Sequence, residues 1–211
     1  MRLLVISLLF GVLAATVASA QSEARYRVDI SFEWQADDPA LNPHWSRLIA
    51  FAHSSRYDLF ADGATASSGL ALVATNGRVS VLEAELAEAR RRGRAGTPVV
   101  LPGIEDGVGT FSFDLSVDEK LSRVSFATML APSPDWFSGV SGVALQEGET
   151  WRDEVRVPLW PWDAGADSGV DYQGANIDTQ PRESVRLLTH PDFLTPEGLA
   201  PIGQATFTRL P

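Results

Sequence analysis

Alternation of apolar and polar positions dominates the chain. In YRVDISFEW, Tyr26, Val28, Ile30, Phe32 and Trp34 alternate with Arg27, Asp29, Ser31 and Glu33. Period two over such a run marks a strand with one buried face. GTFSFDL repeats the pattern through Phe111, Phe113 and Leu115. LSRVSFATML (121–130) is more uniformly apolar and predicts a central strand. WFSGVSGVAL (136–145) and WRDEVRV (151–157) predict two strands joined by a turn around Glu147-Gly148. ESVRLLT (183–189) and GQATFTRL (203–210) predict the last strands. Short strands separated by turn signals imply an all-β sandwich or barrel.

Helical signals gather in the block 42–93. Asn42-Pro43 reads as an N-cap with proline at the first helical position, followed by an apolar HWSRLIAFAHS. SSGLALVATNG predicts a short helix stopping at Asn76-Gly77. Ser80-Val81-Leu82-Glu83 has capping-box spacing and opens the helix EAELAEARRRG. Arg90, Arg91 and Arg92 sit near its end, where cations complement the helix dipole. They predict a solvated helix end rather than a binding patch. The simplest architecture is one sandwich with a helical insertion after its first strand.

The first twenty residues, MRLLVISLLFGVLAATVASA, place one arginine before an apolar run and end in Ala18-Ser19-Ala20. That is the pattern of a Sec-type signal peptide, with a mature chain from Gln21. Residues 21–211 are then one domain of ordinary size, with no later stretch apolar enough to span a bilayer. The expectation is an exported protein, periplasmic or extracellular. There are no cysteines. Stability must then come from the core or from a metal. Formal charge is −10 on 211 residues, and losing Arg2 adds one negative unit. Nucleic acid is thereby an unsuitable partner, since phosphate contacts need a basic face.

The chemistry-bearing residues are aspartates in two stiff loops. APSPDWFSG (131–139) holds Asp135; PWDAGADSG (161–169) holds Asp163 and Asp167. The second loop is not an EF-hand, because Gly165 and Gly174 stand where that motif needs Asp or Asn and Glu. Two readings stay open at this level. Aspartates cap turns by bonding their own backbone. They are also hard oxygen donors, and calcium takes six to eight oxygens at about 2.3–2.6 Å.

APSPDWFSGV resembles the most recognisable motif of the spondin N-terminal domain family. PWDAGADSGVDY is similar to the family's second motif, and HWSRLIAFAHSSRYDLF with ASSGLALVATNG resembles two more, in the family's order. The likeness covers about residues 26–190. It implies a C2-like antiparallel β-sandwich that binds one calcium ion through Asp135, Asp163 and Asp167. It also implies a non-enzymatic module that binds a protein or polysaccharide at a surface or in a matrix. Ala66-Ser67-Ser68-Gly69 stands where the family often has Ala-Ser-Glu-Gly, so no role of that glutamate carries over. The absence of cysteine and the short leader suggest a bacterial, stand-alone version.

The alternatives are a structural envelope protein in which calcium only stabilises the fold, and a metal-dependent hydrolase. His44, His53 and His190 lack the spacing of a zinc site, and His53 is expected to bond within the core. No Gly-x-Ser-x-Gly elbow accompanies Ser54, Ser55 or Ser141, so no catalytic residue is assigned. Trp136 is expected to brace the aspartate loops. Trp160 and Trp162 flank them, spaced to share one side.

Overall fold

The computed structural model describes residues 22–34 and 41–211. The signal peptide expected over residues 1–20, and Gln21, lie outside the described residues. The chain runs β1 (Glu23–Glu33), β2 (His44–Trp45), β3 (Leu48–His53), α1 (Ser68–Asn76), α2 (Ser80–Arg91), β4 (Val99–Leu101), β5 (Val108–Asp118), β6 (Arg123–Ala131), β7 (Trp136–Ala144), β8 (Gln146–Glu147), β9 (Thr150–Trp151), β10 (Glu154–Leu159), β11 (Pro161–Asp163), β12 (Arg186–Leu187), β13 (Leu194–Thr195), β14 (Gly198–Leu199) and β15 (Gly203–Arg209). One sheet has the order β10-β15-β1-β5. The second has the order β12-β11-β7-β6-β3-β4, with β2 added to β6. All pairings within them are antiparallel.

The period-two reading of β1 holds. Tyr26, Val28, Ile30 and Phe32 are buried and meet Leu48, Ala50, Val124, Phe126 and Val140 of the second sheet in one core. Burying each of the larger side chains contributes about 1.5–3 kcal/mol. The polar face of β1 is ordered across the ladder, where Arg25 and Arg27 both bond Asp114 of β5. The C-terminal strand β15 lies between β1 and β10 rather than outside the sheet.

A second core covers the outer face of the second sheet. Leu70, Val73 and Ala74 of α1 and Leu82 and Leu86 of α2 pack with Ile49, Phe51, Ala127 and Phe137. The molecule is therefore sheet on sheet, with the two helices as a third layer.

Four expectations need correction. Residues 44–53 form strands, not a helix, so the helices follow the third strand rather than the first. Every residue of β3 is buried: Leu48, Ala50 and Ala52 face the first core while Ile49 and Phe51 face the second. A strand covered on both faces loses its alternation and cannot be told from a buried helix by pattern. The capping box does not form either. Ser80 is already inside α2, whose N-cap is Val79 with no side-chain hydrogen bond. The capping device belongs to α1, where Ser67 Oγ accepts from Leu70 N–H and donates to Glu85. Glu85, on α2, also accepts from Gly69 N–H at 2.8 Å.

The third correction concerns residues 136–157. The turn at Gly148 closes only the small β8–β9 ladder, while β7 and β10 belong to opposite sheets. Fourth, ESVRLLT contributes a strand only at Arg186–Leu187. The arginine-rich end of α2 is solvated as expected, with Arg91 and Arg92 both paired to Glu88.

Ser67→Ala is expected to lower stability by about 1 kcal/mol, and Ser80→Ala by less than about 0.5 kcal/mol. Urea unfolding of the two variants checks where the cap lies.

Candidate metal centre

The ladder between β7 and β11 sets Asp163 opposite Trp136, so Asp163 comes next to Asp135, the residue before β7. The 163–167 loop then folds back over Asp135. Asp135 Oδ2 accepts from Ala166 N–H at 2.6 Å and from Asp167 N–H at 3.1 Å. Asp163 Oδ1 accepts from Gly165 N–H at 2.8 Å. Asp167 Oδ1 accepts from Gly169 and Ile177 N–H, and Oδ2 also lies 3.0 Å from Ile177 N. The fold thus brings together the three aspartates that the sequence singled out. Asp135 is 0%, Asp163 7% and Asp167 6% exposed.

Two glycines of the motifs have steric reasons. Gly165 adopts φ +67°, and a Cβ there would lie 2.5 Å from Glu183 O. A Cβ on Gly139 would lie 2.1 Å from Phe126 O, inside the β6–β7 ladder.

Four of the six carboxylate oxygens are held by backbone N–H groups. The remaining two differ. Asp163 Oδ2 accepts from the Arg186 guanidinium at 3.0 Å. Asp135 Oδ1 is buried and has no hydrogen-bond partner among the described residues. An orphaned buried carboxylate oxygen is costly unless something neutralises it. Burial, and then the neighbouring Asp163 carboxylate, push the Asp135 carboxyl up to about 6, against the pull of its two N–H bonds.

The donor set is all oxygen, with one buried oxygen unclaimed, which fits a hard cation such as calcium. As the side chains stand, no three His, Cys, Asp or Glu residues among the described residues are disposed to hold one ion. A cation there would draw on the two oxygens outside the backbone bonds, on the remaining lone pairs of the Asp167 carboxylate, on carbonyls and on water.

Beside the aspartates lies a cavity of about 350 Å³, lined by Trp136, Asp163, Asp167, Glu183, Arg186 and His190 among others. Trp136 is 3% exposed and packs edge-on to Tyr172 at 5.0 Å, with His190 also at 5.0 Å. It braces the loops, as expected from burial of the ring's apolar faces. Trp160 and Trp162 do share one side. Both are half-buried and, with Phe60, line a separate groove of about 360 Å³.

The histidines stand on strands and loops, not on one helix. His53 Nε2 is 2.7 Å from Ser125 Oγ, and its Nδ1 is 2.9 Å from Ser54 O. Burial lowers the His53 pKa and keeps the ring neutral. Both His53 and Ser125 are 0% exposed and the third group is a carbonyl, so the pair is a core hydrogen bond rather than an activated nucleophile.

A family model, Spondin_N, matches residues 24–196. The chain belongs to the Spondin_N family. It is 33% identical to Spondin-2 of Homo sapiens over 213 residues, covering 92% of this chain and 64% of that protein. The rat Spondin-2 is 34% identical over 212 residues, with the same coverage. Spondin-1 of Gallus gallus is 36% identical over 192 residues, covering 83% of this chain and 24% of that protein. The chain thus spans less than two thirds of the length of these relatives. The resemblance read from the Asp-Trp-Phe and Asp-Ala-Gly-x-Asp motifs is thereby confirmed at the level of family. Arg186 and the Ile177 amide were missed by sequence reasoning. Their only signal is register, since Arg186 lies opposite Asp163 in the β11–β12 pair.

A carboxyl whose pKa is raised by folding favours the fold when protonated, so its contribution is full below about pH 4 and is lost as pH rises through about 6. In chelator, wild type is expected to lose about 2–3 kcal/mol relative to Asp135→Asn between pH 4 and pH 7. Paired denaturant titrations across that range check the sign.

Proposed function

We propose that the protein is an exported, non-enzymatic calcium-binding sandwich that binds a protein or polysaccharide surface ligand, an adhesion-type module. The observation that carries the calcium reading is the unpartnered Oδ1 of the fully buried Asp135, whose carboxyl neighbours those of Asp163 and Asp167. One divalent cation would neutralise two of the three carboxylate charges and fix the two loops against each other. Export rests on the leader-like residues 1–20. Among the described residues no helix is long and apolar enough to cross a membrane. The adhesion-type role rests on family membership and on the open cavity beside the aspartates.

The structural reading, in which calcium only stabilises the fold, differs in one respect: it gives that cavity no occupant. A hydrolase reading fits less well. The carboxyl with the raised pKa, Asp135, is 0% exposed and does not line the cavity, so it cannot reach a substrate proton.

Thermal unfolding in chelator and in millimolar calcium tests the reading. Free calcium at about ten times its dissociation constant should add roughly 1.4 kcal/mol of stability. Magnesium should add much less, because it demands a small octahedral site. Asp135→Asn and Asp167→Asn should each abolish most of the calcium shift. An unshifted wild type would reduce the loops to hydrogen-bonded turns.

A further inference from the structure

The aspartate cluster already has a cation of its own. Arg186 Nη2 lies 3.0 Å from Asp163 Oδ2, and Nη1 lies 2.8 Å from Glu183 Oε2. Asp163 Oδ2 is the one oxygen of that carboxylate not held by its own loop. The Arg186 side chain is 55% exposed, whereas that of Asp163 is 10% exposed. The guanidinium thus reaches in from solvent to a buried carboxylate. Its Cα is fixed opposite Asp163 by the β11–β12 pair, so only the side chain needs to move for the contact to break. Glu183 offers a resting place three residues away on the same exposed edge.

We propose that Arg186 is the resident counter-ion of the aspartate loops, and that a divalent cation takes Asp163 Oδ2 by displacing the guanidinium, which stays on Glu183. This rests on the calcium reading above. Arg186 neutralises Asp163 while no metal is bound, which stabilises the cation-free fold. It also competes with the cation for the same oxygen, which lowers apparent affinity. The exchange frees the Nη2 end of the guanidinium at the rim of the cavity that Asp163, Asp167 and His190 also line. Cation occupancy therefore changes the donors that a ligand meets in that cavity.

The two effects have opposite signs, which separates this role from simple packing. Arg186→Gln should lower the melting temperature in chelator, yet bind calcium about two- to fivefold more tightly by calorimetry. Its calcium-induced shift in melting temperature should exceed that of the wild type. Arg186→Lys keeps the charge but not the fork, and should bind calcium with an affinity between the two. Arg182→Gln is the control, since Arg182 bonds Ala66 O and Ser68 Oγ and should leave calcium affinity unchanged. In the wild type, calcium should shift the Arg186 guanidinium resonances and leave those of Arg182 in place. If the wild type binds calcium and Arg186→Gln binds it equally or less tightly, the counter-ion exchange is wrong and the site reading stands. If neither binds calcium, both fall.

Discussion

The clasp between Asp135 and the backbone of the 163–167 loop is the constraint on which the candidate site depends. One carboxylate oxygen takes two amide protons, from Ala166 and Asp167. Those bonds hold together two loops that belong to different parts of the chain. The β7–β11 ladder supplies the register, and the clasp supplies the closure. The cost is charge density: three carboxylates, each less than a tenth exposed, share one end of the sandwich. Desolvation and mutual repulsion make that arrangement favourable only with partial neutralisation, by protonation, by Arg186 or by a metal.

Behind this end, the second sheet works as the central layer. Its strands β3, β6 and β7 carry apolar side chains on both faces, one set toward β1 and β5, the other toward the helices. Close-packed support from two sides resists displacement of the strand ends. That suits a loop site whose geometry has to persist without disulfides. The helices are also tied to each other, because Glu85 of α2 caps the first turn of α1.

Family membership gives the motif residues a common meaning. In the Asp-Trp-Phe-Ser-Gly segment, Trp136 seals the end of the first core, Phe137 enters the second, and Gly139 lets β7 approach β6. In Asp-Ala-Gly-Ala-Asp, the two alanines are buried beneath the loop and Gly165 takes the left-handed turn against Glu183. The aspartates are thus the buried charges of segments otherwise built for packing.

How much of this was legible follows from range. The strands β1, β5, β6 and β15 and the helix α1 read correctly because each carries its own signal: period two, a buried apolar run between turns, or an Asn-Gly stop. The three aspartates were also legible, as polar residues fixed in stiff Pro/Gly loops. The identity of β3 was not, because burial on both faces erased its alternation. Nor was the second acceptor at the first turn of α1, Glu85, which comes from another helix. Sequence by itself determined which residues are apolar, which turn, and which carry charge. Tertiary structure alone decided that β7 and β10 part into opposite sheets, that Asp135 Oδ1 is left unpartnered, and that Arg186 stands opposite Asp163. Those are consequences of strand register and of contacts between distant segments, and no local pattern encodes them.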